Sequence, residues 1–436
     1  MIRKFHVLVG VLLLVLLAGC KSSGKHGKQD KSVWEDGQAR GIAPGNKQSP
    51  QNMLGMVYIP SGTFHMGPSD EDMNSNFIAR NRMVSINGFW MDKYELSNNR
   101  YRQFVWWVRD SLIGKELGYF KNTPGGAAAY SDSAMTAPVD FNKVRNTKMD
   151  AGALEKLSNN LLLAPDNRIN GRVEIDPDKI RYHYEDFNLP AAAKRENMGV
   201  ARSAFIRRYD VKVYPDTLVW MRDFSYSYNE PLTRQYFSYP AYGNYPVVGV
   251  NWKQANAYCD WRTKMLNNSL QKKKYALEND FRLPNEAEWE YAARGGRTQS
   301  QYPWGGPYLR NKKGCALANF KPGRGDYPSD GGMYTVRVNA YLPNDYGLFN
   351  MSGNVAEWTS SFFTEGAYNF MSDLSPDVRW EAKESDPILN KRKVVRGGSW
   401  KDVGFYLQTS TRAFEYQDSA KSYIGFRCVI NKPKEK

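Results

Sequence analysis

Apolar and polar positions alternate along this chain in five distinct regimes. A short apolar run from Val7 to Leu17 follows Arg3 and Lys4. It is too short to span a bilayer as a helix and reads as the apolar region of a secretory signal peptide. Residues 20 to 54 are polar, rich in Lys, Ser, Gly and Gln, and read as a flexible tether. Order is expected from Met56 to Gly67, where short apolar runs punctuated by Pro60-Ser61-Gly62 predict strands joined by tight turns, and Val84 to Met91 predicts another strand. Tyr101, Phe104, Val105 and Val108 fall at helical spacing over residues 97–108. From 109 to 240 the pattern breaks up. Proline- and aspartate-rich turns interrupt every candidate element, as in a long, partly irregular insertion. Pattern then returns. Pro246 to Trp252 reads as a strand entering a helix from Gln254 to about Leu266. Asn285 followed by Glu288 predicts a capping box at the start of a helix that Gly295 and Gly296 stop. A last ordered block runs from Val394 to Ile430, ahead of a basic tail at 431–436.

The segment Leu17-Ala18-Gly19-Cys20 changes the picture of the N-terminus. Small residues before a cysteine resemble the bacterial lipobox, which implies cleavage after Gly19 and a lipid on Cys20. Several acyl chains on one N-terminus hold a protein firmly to a bilayer. The residues after Cys20 lack the acidic cluster that resembles a retention or surface-export tag, so the expected location is the periplasmic face of the outer membrane. The formal net charge is +15, or +13 once Arg3 and Lys4 leave with the signal. Export disfavours nucleic acid as the partner of that charge and leaves an anionic membrane surface or an acidic protein. Aromatic residues make up 14% of the chain, enough to suggest a loop-rich fold packed by large amphipathic side chains.

Candidate chemistry is sparse. The four histidines, His6, His26, His65 and His183, are scattered and form no metal motif. No P-loop and no Gly-x-Ser-x-Gly occurs. With Cys20 lipidated, Cys259, Cys315 and Cys428 remain, an odd number that predicts one disulfide and one free thiol without choosing the pair.

Phe89-Trp-Met-Asp-Lys-Tyr-Glu-Leu-Ser-Asn98, Pro246 to Trp252, Arg282-Leu-Pro-Asn-Glu-Ala-Glu-Trp-Glu-Tyr-Ala-Ala-Arg294, Asn350-Met-Ser-Gly-Asn-Val-Ala-Glu-Trp358, Arg396-Gly-Gly-Ser-Trp400 and Gly425-Phe-Arg-Cys428 stand in one order. Together they resemble the formylglycine-generating enzyme, or sulfatase-modifying factor, family over residues 56–108 and 245–430. The resemblance implies an α+β, loop-rich fold related to C-type lectins, occupying 55–430 and interrupted by the 109–240 insertion. It pairs Cys259 with Cys428, closing a loop of about 170 residues that chain entropy would stabilise by ~4–5 kcal/mol. It leaves Cys315 free, as a small buried hydrophobe. It implies one calcium site at Asn350, Gly353, Val355 and Glu357, with Glu95 as a further ligand. A second would lie at Asn319, Phe320, Asp330 and Gly332, where Gly332 replaces an aromatic. Calcium accepts carbonyl and carboxylate oxygens alike, and its expected role is structural.

The family's oxidase chemistry uses two copper-binding cysteines shortly after Arg-Gly-Gly-Ser. Here the stretch from Arg396 to Arg412 holds no cysteine, and Asp402 stands at the first position. A hard carboxylate cannot replace a pair of soft thiolates for Cu(I). The expectation is a protein without copper and without oxidase activity. The lipobox, this fold and an insertion containing Val213-Tyr-Pro-Asp-Thr-Leu-Val-Trp220 and Tyr226-Ser-Tyr-Asn-Glu-Pro231 are further similar to the GldK and PorK lipoproteins of the type IX secretion and gliding machinery, with the GldJ type close behind. That likeness implies self-association into a periplasmic ring, with a ring partner of the GldN or PorN type. The rival expectation is a glycan- or peptide-binding module using aromatics near Trp252, Trp304 and Trp358.

Overall fold

The computed structural model describes residues 55–68, 80–121, 139–148, 150–158, 160–223, 230–272, 277–323 and 325–431. The lipobox, the tether, residues 432–436 of the tail, and Tyr226 to Asn229 lie outside these residues. Strands β1 (Met56–Ile59), β2 (Gly62–Met66), β3 (Arg82–Ile86) and β4 (Phe89–Asp92) open the fold. The single strand expected from Val84 to Met91 is therefore two, bent at Asn87-Gly88. Helix α1 (Asn98–Glu116) follows, capped by Ser97, and runs two turns beyond the expected range. Helices α2 (Phe141–Asn146) and α3 (Ala151–Ser158) and a hairpin of β5 (Arg181–Phe187) with β6 (Ile206–Lys212) make up much of the insertion. Then come α4 (Trp252–Lys272), β7 (Phe281–Arg282), α5 (Glu286–Arg294), β8 (Ala356–Phe362), β9 (Arg392–Arg396), β10 (Ala413–Tyr416), β11 (Ile424–Gly425) and β12 (Val429–Asn431).

Two four-stranded sheets, β1-β4-β12-β7 and β10-β9-β8-β11, frame the described core, and β2-β3 and β5-β6 stand as hairpins. The chain's last strand lies between β4 and β7, so the N- and C-terminal motif blocks share one sheet. Helix α5 forms as its sequence predicts. The Asn285 side chain accepts from the Glu288 N–H, the Glu288 carboxylate accepts from the Asn285 N–H, and Gly295 closes the helix in a left-handed conformation at φ 61°. The strand expected at Pro246–Trp252 does not form. That segment bends at Gly249, at φ 73°, and bonds to scattered partners, Val247 N–H to Leu96 O and Gly249 N–H to Lys421 O, so no ladder develops.

The insertion is not a separate lobe. Ile180, Tyr182, Val211 and Val213 are buried in the same core as Phe104, Tyr258, Trp261 and Cys428. The Tyr101 hydroxyl donates to Val213 O, and the Tyr182 hydroxyl donates to Asp260 on α4. A smaller core of Ile113, Val139, Val144, Leu157, Leu161 and Leu162 ties α2 and α3 to the end of α1. More of the insertion is regular than its composition suggests. Its hairpin turns Tyr182, Tyr184, Tyr209 and Val211 to the core on one face, and ion pairs link the strands, Glu185 with Arg208 and Asp186 with Arg207.

Candidate functional site: a thiol-free groove on an ionic frame

The motif residues converge on buried acid–base pairs. Arg262 on α4 bonds both oxygens of Asp92 on β4, at 2.6 and 2.9 Å. Burial pushes the Asp92 carboxyl up, but the Arg262 guanidinium outweighs it and holds the group below the usual carboxylate range. Arg427 grips Glu357 with Nε and Nη2 while the Trp289 indole donates to the same carboxylate at 2.8 Å. Glu290 on α5 accepts from Arg294 and from Arg396, and Glu286 accepts from Arg412. Arg294, Arg396 and Arg427 belong to the sequence blocks; Arg262, Arg396, Arg412 and Arg427 each join elements far apart in the chain, while Arg294 pairs within α5 and reaches Gly67 O.

On this frame the Arg396-Gly-Gly-Ser turn shapes a cavity of about 180 Å³, lined in part by Gly397, Gly398, Asp402, Tyr406, Phe414 and Tyr423. Gly398 has φ 65°, and a Cβ there would lie 2.6 Å from Tyr406 O, so only glycine lets the two backbone segments approach. The acidic group at the expected copper position is held by its neighbour. Ser399 Oγ donates to Asp402 at 2.6 Å, and burial raises the Asp402 carboxyl above its ordinary range. The donors here are oxygens, and no thiol lines the groove. The residues do not fit copper. Cys259 and Cys428 stand elsewhere, in the apolar core, with sulfurs 3.4 Å apart and both thiols free. Burial pushes the Cys259 thiol well up. Cys315 is not the buried hydrophobe expected: it is exposed, on a turn held by Asn311, whose Oδ1 accepts from the N–H groups of Lys313 and Cys315. Non-reducing peptide mapping of protein made in an oxidising compartment is expected to recover the Cys259 and Cys428 peptides joined and Cys315 alone. A bond to Cys315 in the native protein would refute that pairing.

The two expected calcium sets differ in what they offer. At the first, Glu357 is already neutralised by Arg427, and Asn350 turns its amide N–H toward Glu95 at 3.0 Å. Glu95 also accepts from Asn354 Nδ2 and Val355 N. Burial, with Glu357 nearby, pushes the Glu95 carboxyl up to about 8. Glu357 as a ligand is thus at odds with its bonding, and Glu95 is the carboxylate of this set without a cationic bond. The second set fits a hard cation better. Asn319 Oδ1 is buried with no donor, and Asp330 accepts the backbone N–H groups of Phe320 and Gly332, with the Arg310 charge nearby. Gly332 is close enough that a Cβ would lie 3.3 Å from Asn319 Oδ1, so the glycine leaves room where the family has an aromatic. Among the described residues no cluster of three or more His, Cys, Asp or Glu could hold a metal, so any cation here relies on amide and carbonyl oxygens around the single carboxylate of Asp330.

The aromatics proposed for a glycan module are spent on structure. Trp358 is fully buried and donates to Val250 O. Trp252 donates to Thr359 O, and the Lys393 ammonium covers its ring at 3.9 Å. Trp304 stacks on Tyr302 and donates to Tyr308 O.

Residues 43–432 match the Sulfatase-modifying factor enzyme 1-like domain, and the chain belongs to that family. Its relatives include the formylglycine-generating enzyme of Bos taurus, 27% identical over 97% of this chain and 87% of that protein. The inactive C-alpha-formylglycine-generating enzyme 2 of Bos taurus is 35% identical over 42% of this chain and 50% of its own length. Among solved structures, PvdO from Pseudomonas aeruginosa covers 86% of this chain and 94% of its own at 17% identity, with a TM-score of 0.44.

Proposed function

We propose that this chain is a non-catalytic member of its family, lipidated at Cys20 and held on the periplasmic face of the outer membrane. There it acts as a ring scaffold of the type IX secretion and gliding machinery, in the manner of GldK and PorK. The observation that carries the non-catalytic part is the groove: the position matching the copper cysteine is a hydrogen-bonded carboxyl, Asp402, and no thiol lines it. A relative named as inactive shows that the family includes such members. The scaffold part rests on the insertion. Its hairpin is anchored in the main core, yet the connection between β5 and β6 exposes Leu189 by 62% and Met198 by 77%. Apolar side chains on a rigid support suit contact with another copy or with a partner of the GldN or PorN type. Head-to-tail contacts between copies close into rings.

Deleting the whole insertion is a poor test, because Tyr182 and Val213 would leave the core with it. Replacing residues 189–204 by a Gly-Ser linker spares both. In cells, crosslinking is expected to capture multimers of the parent protein and monomers of this variant, with secretion lost. Purified protein given copper, oxygen and a sulfatase-type cysteine peptide is expected to leave the peptide unchanged. Multimers and secretion intact in the linker variant would overturn the scaffold reading, and formylglycine in the peptide would overturn the non-catalytic one.

Calcium belongs to the same proposal, as a structural clamp on loops that lack ladders. Asn319 and Asp330, with the carbonyls of Phe320 and Gly332, would hold it. Oxygen-only coordination supplies charge compensation and rigidity, not chemistry. Adding calcium is expected to raise the melting temperature, and chelation to reverse the gain, with Asp330→Asn abolishing the response. An unchanged melting curve would refute it.

A further inference from the structure

A second concave site lies outside the groove at the Arg396-Gly-Gly-Ser turn. It is an open cavity of about 570 Å³ lined by Tyr308, Leu309, Arg310, Lys312, Phe320 and Pro322. Its size falls within the range of ligand-binding clefts. Residues 308–323 contain Arg310, Lys312, Lys313 and Lys321 and no acidic residue. Arg310 is fixed in place by neutral acceptors, Gly314 O at 2.9 Å and Ser329 Oγ at 3.1 Å, with the Asp330 carboxylate nearby offsetting part of its charge. Lys312 is exposed on the tight turn that Asn311 holds. Tyr308 is 75% exposed, and its ring is not needed for the loop, since Trp304 is anchored on its backbone oxygen.

We propose that this cavity binds an acidic peptide segment of a partner protein, with an apolar side chain of the segment against Leu309, Phe320 and Pro322 and its carboxylates on Arg310 and Lys312. Charge complementarity selects the occupant. Cations around an apolar floor favour carboxylates flanking an apolar residue. A sugar ring would need several hydroxyl partners. The side-chain amide of the lining is Asn311, and its oxygen already accepts two backbone N–H groups. A second copy of this chain, at net charge +13 once the signal has left, is a poor source of the segment. The proposal extends the scaffold reading by naming the chemistry of a partner contact, and its test does not require a ring.

Cys315, exposed on the same turn, provides the reporter. The full chain is labelled there with an environment-sensitive fluorophore and titrated with a synthetic peptide of glutamates around a central leucine. A matched peptide with glutamine at every glutamate and an anionic polygalacturonate serve as comparisons. The acidic peptide is expected to bind, at least tenfold more tightly than the glutamine peptide, and to weaken as salt rises. Lys312→Glu and Tyr308→Ser, both at exposed positions, are each expected to weaken it about tenfold while leaving the melting temperature unchanged. Equal binding of the two peptides, no loss in either variant, or preference for the polygalacturonate would overturn the proposal. Failure of peptide binding would leave multimer formation in cells intact and so is separable from failure of the scaffold reading.

Discussion

Replacing Arg427 with methionine is expected to destabilise the protein by roughly 3–5 kcal/mol, the usual result of removing one partner from a buried ion pair. Arg427 is fully buried and makes more than one kind of contact. It holds Glu357 through two nitrogens, donates to Phe349 O at 2.8 Å, and reaches Asp92 O on β4 at 3.2 Å. Methionine fills much of the volume but satisfies none of these oxygens. Glu357 would then sit buried beside Glu95 with only the Trp289 indole as a donor. The double variant Glu357→Gln, Arg427→Met removes the stranded charge and is expected to recover part of the loss, a coupling that a double-mutant cycle in urea measures. A single variant that costs less than about 1 kcal/mol would show that the sheets, and not the ionic frame, hold the two halves together.

That frame shows why some features could be read in the sequence and others could not. The capping box at Asn285 and the stop at Gly295 are local. Every bond they make lies within four residues, and the residue types alone predict them. The arginines of the Arg-Gly-Gly-Ser and Gly-Phe-Arg blocks were visible as family marks, but their partners Glu290 and Glu357 lie 106 and 70 residues away, and no periodicity reports such distances. Pro246 to Trp252 looked like a strand because its residues are apolar and branched. What it lacks is a continuous neighbour, which is a property of the rest of the fold. The β5–β6 hairpin failed in the opposite direction. Tyr182 and Tyr184 alternate with Arg181, His183 and Glu185, and Tyr209 and Val211 with Arg208, Asp210 and Lys212, but each run holds only two inward residues, too short to stand out in a polar stretch. A search for opposite charges at mirror-related positions, such as Glu185 with Arg208, would have found it.

The same distinction applies to the site. Absence of cysteine between Arg396 and Arg412 was legible from the letters, and the groove around Asp402 agrees with it. The candidate calcium ligands were legible as residue types but not as free oxygens. Glu357 bonds Arg427, whereas Asn319 Oδ1 is left without a donor, and only side-chain packing tells the two apart. Cys315 was misread for a related reason. Cysteine is among the most buried residue types, but the turn built by Asn311 exposes it in a run of lysines.

Lys393 yields a prediction of opposite sign: Lys393→Met is expected to make the protein more stable at neutral pH. This lysine on β9 has no solvent exposure, donates to Trp380 O at 2.5 Å, and lies over the Trp252 ring. Burial first, and the nearby Arg379 charge second, push its ammonium down to about 8 from an ordinary 10.5, while Asp377 opposes the shift. Between those values the unfolded chain binds a proton that the native protein does not. Stability therefore rises with pH from about 8 to about 10.5, and the lysine's contribution is lost as pH falls through 8. At neutral pH the native state carries a charge it binds poorly, a cost of about 3 kcal/mol by the linkage relation, offset in part by the bond to Trp380 O and the contact with Trp252. Methionine keeps the volume, avoids the desolvation and gives up that bond, for a net gain of about 1–2 kcal/mol at pH 7. Denaturant titrations of both proteins from pH 6 to pH 10 measure the gain directly. It should be largest below pH 8 and shrink above it as the parent protein stabilises. A difference that stays constant with pH would mean that Lys393 acts through packing alone, and a less stable variant at pH 7 would mean that its hold on Trp380 and Trp252 outweighs the charge.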